Sequence, residues 1–171
     1  MGVCQDRVVI ITGAGGGLGA AHAKVFAAEG AKIIVNDINQ EAAQKVVDDI
    51  KAAGGDAVVN TSDITNYDDS LNAVKQAIDT FGDLHVVLNN AGINRDRMFA
   101  SMTEADWDAI MAVHLKGHFC ITSHAVHYWR GQSKEGKAVD ARIINTTSGA
   151  GLQGSVGQSN YAAAKAGIAA L

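Results

Sequence analysis

Arg7-Val8-Val9-Ile10-Ile11-Thr12-Gly13-Ala14-Gly15-Gly16-Gly17-Leu18-Gly19 is the stretch whose reading decides the fold. Its apolar start reads as a buried parallel strand that runs at once into a tight turn. From Leu18 to Glu29 the pattern changes to helical spacing, with Leu18, Ala21, Val25 and Ala28 on one face and Gly30 as the stop. A glycine-rich turn between a first strand and a first helix lets a pyrophosphate approach the backbone, and the free N–H groups of the helix start attract its charge. The spacing from Gly13 to Gly17 to Gly19 is Thr-Gly-x-x-x-Gly-x-Gly, not the commoner Gly-x-Gly-x-x-Gly.

Outward from this unit the alternation repeats. Lys32 to Asn36 is a second strand. Asn39 caps a helix with Ala42, Val46, Ile50 and Ala53 inside, and Gly54 and Gly55 end it. Ala57 to Asn60 is a short third strand; a helix from Thr65 or Asn66 follows, with Leu71, Val74, Ile78 and Phe81 inside and Gly82 as its stop. His85 to Leu88 is a fourth strand. Thr103 caps a long helix to about Arg130, with acidic residues in its first turn and a stripe of Trp107, Ile110, Met111, His114, Leu115 and Phe119. Gly131 to Asp140 reads as a polar loop, Arg142 to Asn145 as a fifth strand, and Tyr161 onward as another helix. Strands alternating with amphipathic helices predict an α/β, doubly wound parallel sheet with its ligand crevice at the carboxyl ends of the strands. One domain covers residues 1–171.

Composition narrows the function classes. The formal net charge of −4 comes with no basic block, which leaves nothing to hold a nucleic acid or an acidic membrane surface. No apolar run is long enough to span a bilayer. Cys4 and Cys120 lack metal-like spacing and read as reduced residues of a cytoplasmic protein. No metal is expected.

Other residues carry chemistry by position. Asp37 follows the second strand, 18 residues beyond Gly19, where a carboxylate accepts hydrogen bonds from ribose hydroxyls and repels a 2′-phosphate. With no Arg or Lys in the loop to welcome that phosphate, NAD is expected rather than NADP. Asp63 and Ile64 follow strand three, where Asp63 meets an adenine amino group and Ile64 its face, or Asp63 simply caps a helix. Asn89-Asn90-Ala91-Gly92 follows strand four with small residues suited to close approach of a cofactor, or to an ordinary turn. Tyr161 and Lys165 lie four apart in an alanine-rich helical run, on one face. Alone, such a pair is most often a solvated surface. A lysine ammonium beside a tyrosine favours the phenolate, however, and suits the pair to proton transfer at an alcohol or carbonyl oxygen.

Taken together, Thr12-Gly13-(x3)-Gly17-x-Gly19, Asp63, Asn89-Asn90-Ala91-Gly92, Ser148 and Tyr161-x-x-x-Lys165 resemble the classical short-chain dehydrogenase/reductase family over essentially the whole chain. The resemblance implies NAD(P)-dependent interconversion of a secondary alcohol and a ketone. Tyr161 would be the general acid/base, Lys165 would hold the nicotinamide ribose and lower the tyrosine pKa, and Ser148 would hydrogen-bond the substrate oxygen. Gly13, Gly16, Gly17, Leu18, Gly19, Asp37, Asp63, Ile64, Asn90, Ala91, Gly92 and Val113 would line the cofactor, with Tyr161 and Lys165 at its nicotinamide end. A narrower likeness, carried by Asn90 to Phe99, Trp107-Asp108 and Val113 to Gly117, is to the (3R)-hydroxyacyl-CoA dehydrogenase module of peroxisomal multifunctional enzymes. It implies a 3-hydroxyacyl thioester or a steroid alcohol as substrate, lipid or steroid metabolism, and a homo-oligomer, dimer or tetramer.

Two features depart from the family pattern. His114 stands where most members carry an asparagine that anchors a proton relay. Either the imidazole replaces the amide in that relay or it is a satisfied core histidine. Members also run to roughly 250 residues, whereas this chain reaches Leu171 in the middle of a helical pattern, so a portion of a longer polypeptide is expected. Two further readings stay open: a 3-oxoacyl reductase working with NADPH, and a catalytically silent nucleotide-binding protein. The presence of Ser148, Tyr161 and Lys165 together argues against the silent one.

Overall fold

A computed structural model describes residues 2–171. Five parallel strands form one sheet in the order β3-β2-β1-β4-β5. They are β1 (Val8–Thr12), β2 (Lys32–Asn36), β3 (Asp56–Asn60), β4 (Val86–Asn89) and β5 (Arg142–Asn145). Between them run α1 (Gly17–Ala28), α2 (Gln40–Ala52), α3 (Tyr67–Phe81), α4 (Glu104–Ile110) and α5 (Gly117–Lys134), and after β5 come α6 (Gly149–Gln153) and α7 (Ser159–Ala170). The strand order reverses direction at β1, so the crevice between β1 and β4 opens at their carboxyl ends, as the alternation predicts.

Successive residues of a strand point to opposite faces. Val9, Ile11, Ile33 and Val35 therefore pack under α1 and α2, while Val8, Ile10, Ile34 and Val87 pack under α3 and α5. Burial on both faces explains why these strands read as continuous apolar runs. Each strand ends in Thr or Asn, namely Thr12, Asn36, Asn60, Asn89 and Asn145. Four of these side chains pair with one another: Asn36 Nδ2 donates to Asn60 Oδ1 (2.7 Å) and Asn89 Nδ2 to Asn145 Oδ1 (2.9 Å).

The helices differ from the sequence expectation in which face they bury. Gly19, Ala23 and Ala27 form the inner face of α1. Leu18 and Val25 are 67% and 63% exposed. The helix lies so close to the sheet that a Cβ on Gly19 would sit 2.2 Å from the Gly13 carbonyl oxygen, and only small residues fit that approach. In α3 the inner residues are Ser70, Ala73, Val74 and Ala77, with Leu71, Ile78 and Phe81 at its margins. The long helix predicted from Thr103 is divided: a π-helical turn at Met111–Lys116 joins α4 to α5. That wider turn resets the inner face, so Phe119 is half exposed while His118, Cys120 and Ile121 are buried. The helix also continues through Gln132 to Lys134, where a loop was expected. The caps are as predicted. Asn39 and Asn66 accept first-turn N–H groups, Gly82 is left-handed, and Thr103 and Asp106 form a capping box.

Candidate active site

A cleft of about 430 Å³ opens at the carboxyl ends of β1 and β4, lined by Gly13, Gly16, Leu18, Asp37, Asn90, Gly92, Ile93, Asn94, His114, Thr146, Tyr161 and Lys165. Nine of these were candidates from sequence. Ile93, Asn94 and Thr146 were not, although each follows directly on a strand end or its turn, where the open-sheet rule puts ligands. Gly17, Gly19, Ala91, Val113, Asp63, Ile64 and Ser148 lie outside the lining. A larger groove of about 890 Å³ runs between α1 and α2 at the amino ends of β2 and β3. Around its exposed Lys24–Asp49 ion pair (2.7 Å) the walls are mostly alanine and glycine, so volume alone does not mark the chemistry.

The glycine turn is built for close approach. Gly13 has φ +62°, and a Cβ there would lie 2.7 Å from Ala91 Cα. Around Gly16, by contrast, a Cβ would meet nothing within 4 Å, which leaves open space before the start of α1. No side chain caps that helix start, so its first-turn N–H groups face the opening with no protein acceptor. A dinucleotide pyrophosphate fits this cradle. Thr12 Oγ accepts from the N–H groups of Asn90 (3.0 Å) and Ala91 (3.1 Å), and Asn90 Nδ2 donates back to Thr12 O (3.0 Å) and Gly13 O (3.3 Å). The Asn90 amide is thus spent on locking the glycine turn to the segment after β4. Asp37 receives the Gly15 N–H at Oδ2 and the Asn39 N–H at Oδ1, both at 2.9 Å, which sets its carboxylate beside the turn. Asp63 turns inward on its own loop, accepting from Thr65 N and Oγ1 at 2.8 Å, and Asn66 rather than Asp63 caps α3. Ile64 is buried beneath Gly117.

At the other end of the cleft α7 presents Tyr161 and Lys165. Lys165 is almost fully buried, and its Nζ donates to Thr146 O at 2.5 Å. Burial holds its ammonium below the ordinary lysine pKa. Its Nζ lies 5.6 Å from the centre of the Tyr161 ring. The pair is therefore not a solvated surface. His114, in the π-helical turn, meets Tyr161 edge-on with ring centres 5.2 Å apart. Its Nε2 lies 3.1 Å from Ile93 N and 2.8 Å from Ile93 O, while its buried Nδ1 has no partner. Burial pushes His114 below its usual pKa; the Ile93 backbone opposes this and the Lys165 charge adds to it. Ser148 caps α6, accepting the Ala150 N–H at 3.2 Å, and its own O–H is still free to donate.

Comparison with known proteins agrees with this geometry. The profile of the family described as short chain dehydrogenase matches residues 7–171. The hydroxyacyl-CoA dehydrogenase ChsB1 of Mycobacterium tuberculosis is 48% identical over 98% of this chain and 55% of its own length. The peroxisomal multifunctional enzyme type 2 of Mus musculus is 45% identical over 98% of this chain and 23% of its own. A crystal structure of a short chain dehydrogenase from Mycobacterium avium superposes with a TM-score of 0.97 at 59% identity, covering 99% of this chain and 64% of that one. The chain thus spans about half of the first relative and under two thirds of the solved structure. Its profile match, its strand order and its cleft place this chain in the short-chain dehydrogenase family.

Proposed function

We propose that this chain carries the dinucleotide-binding and proton-transfer half of an oxidoreductase that interconverts a secondary alcohol and a ketone, with NAD, on a 3-hydroxyacyl thioester. The observation that carries the reading is the single cleft uniting the open glycine cradle with Tyr161, Lys165 and His114. The cradle and the uncapped start of α1 would hold the pyrophosphate, and the Asp37 carboxylate would take the ribose hydroxyls and exclude a 2′-phosphate. When bound there, the cofactor would supply the hydride chemistry. The Tyr161 phenolate oxygen would take the proton from the alcohol, and in the reverse direction the Tyr161 hydroxyl would give it to the carbonyl oxygen. Lys165 would place a positive charge beside that ring, with Nζ 5.6 Å from its centre, and after the bond to Thr146 O it has two N–H groups left to donate to a ribose. Ser148 would donate its O–H to the same substrate oxygen and orient it. The name of the relative ChsB1, a hydroxyacyl-CoA dehydrogenase, supports the thioester.

The test is absorbance of the reduced nicotinamide during turnover of a panel of 3-hydroxyacyl thioesters and steroid alcohols, run in parallel with NAD and NADP. Turnover with NAD and a thioester is expected. Preference for NADP would favour the 3-oxoacyl reductase reading instead, and no turnover with any substrate would favour a silent nucleotide binder.

A further inference from the structure

We propose that Asn160 is a positioning residue: it sets the place of Tyr161 by tying the first turn of α7 to the loop after β4 and to α4. This rests on the proposed role of Tyr161 in proton transfer. Asn160 is fully buried beside Tyr161. Its Nδ2 donates to Arg95 O and to Asp106 O, each at 3.2 Å, and its Oδ1 accepts the Tyr161 N–H at 2.8 Å. Both amide protons are used, on carbonyls of two different elements, and that pair of acceptors fixes which way round the amide lies.

The position needs such a tie. The residue that opens α7, Gln158, provides no side-chain cap, so the Tyr161 N–H would otherwise be one of the unsatisfied donors of a helix start. Beyond it, Ala162, Ala163 and Ala164 give the helix no directional contact until Lys165, which grips Thr146 O, while Thr147 Oγ1 donates to Lys165 O at 2.7 Å. The middle of α7 is therefore held by Lys165 and its start by Asn160. Neighbouring bonds reinforce the same seam. The Arg97 N–H donates to Gly157 O (2.8 Å), Gln158 Nε2 donates to Asp96 Oδ2 (3.0 Å), and Arg97 Nε reaches Asp106 Oδ2 (2.9 Å). At the other end of the loop, His114 holds Ile93. The loop that walls the cleft and the helix that carries Tyr161 thus share one buried amide. Misplacement of a reacting group by about 1 Å can cost on the order of a hundredfold in rate, so loss of this tie is read in turnover more than in affinity.

Two measurements test it. Amide hydrogen exchange of the purified wild-type protein, without substrate, should show Tyr161 N–H protected although it lies in a first helical turn. Exchange there as fast as at Ser159 would overturn the proposal. Asn160→Asp keeps the shape and the acceptor but removes both donors; Asn160→Ala removes all three bonds. Each should speed exchange in residues 94–98 and 158–163 while leaving residues 8–12 unchanged. Each should also lower kcat by roughly ten- to a hundredfold, with the KM for the dinucleotide within about twofold. Unchanged exchange, or faster exchange with wild-type kcat, would overturn it. If Asn160→Ala fails to fold, the Asp variant and the wild-type exchange decide. A wild type that turns over no alcohol sinks the activity reading alone, since the exchange results still judge the tie.

Discussion

At the residue scale, the glycine turn separates two kinds of glycine that look alike in the sequence. Gly19 serves packing: its missing Cβ lets α1 lie against Gly13 O. Gly16 borders only open space. Gly19→Ala should therefore destabilise by about 1–3 kcal/mol through overpacking, read as a lower urea midpoint. Gly16→Ala should keep wild-type stability yet weaken dinucleotide binding, measured by fluorescence titration. Equal effects of the two changes on stability would contradict the geometry. Tyr161→Phe should lower kcat by about 10²–10⁴-fold, the range of general acid–base catalysis, with dinucleotide affinity retained. His114 poses a sharper question, because its Nε2 already meets Ile93 and its Nδ1 has no partner. If it relays protons, His114→Ala should lower turnover and alter its pH profile, and His114→Asn should restore part of the rate. Wild-type profiles in both would leave it a core residue.

At the scale of elements, the signals that end and begin helices were the most legible. Asn39, Asn66, Thr103 and Gly82 act as their chemistry predicts, because capping is a local bond between near neighbours. Thr103→Ala breaks the capping box that starts α4 and should cost about 1 kcal/mol, seen as a lower thermal midpoint without loss of the dinucleotide site. A midpoint unchanged within error would show that Arg97 and Asp106 alone hold that start. Inner faces were less legible. Helical spacing picks out apolar residues, but it cannot show that α1 packs too closely for Leu18 or Val25 to point inward. It also cannot show the π-helical turn that carries His114 inward and leaves Phe119 half exposed.

At the scale of the whole molecule, a buried histidine links the core to pH. His118 is fully buried on α5 and neither ring nitrogen has a hydrogen-bond partner. Burial, the Lys165 charge and the nearby His114 bring its pKa from 6.5 down to about 4, against a small opposing pull from the Asn89 backbone. The folded-state value lies below the unfolded one, so between 6.5 and about 4 the unfolded chain binds a proton that the folded chain does not. Stability is fully present above 6.5 and falls with pH through that window, by on the order of 3 kcal/mol for this group. Urea unfolding followed across this range should show the loss, and His118→Leu should reduce its slope. A variant with the wild-type slope would show that other groups carry the acid sensitivity.

The sequence alone determined the strand–turn–helix alternation, the parallel sheet and the glycine turn, and it singled out Tyr161, Lys165 and Asp37 as candidates. These rest on local spacing and on turn and capping chemistry, which neighbours along the chain decide. Tertiary structure alone decided what those groups face. It buried Lys165 against Thr146 O, set His114 edge-on to Tyr161 and spent Asn90 on the glycine turn. It also joined Asn160 to Arg95 and Asp106, more than fifty residues away. The physical reason is that a buried polar atom must find its partner wherever the packed chain brings one, and no period in the sequence encodes that place.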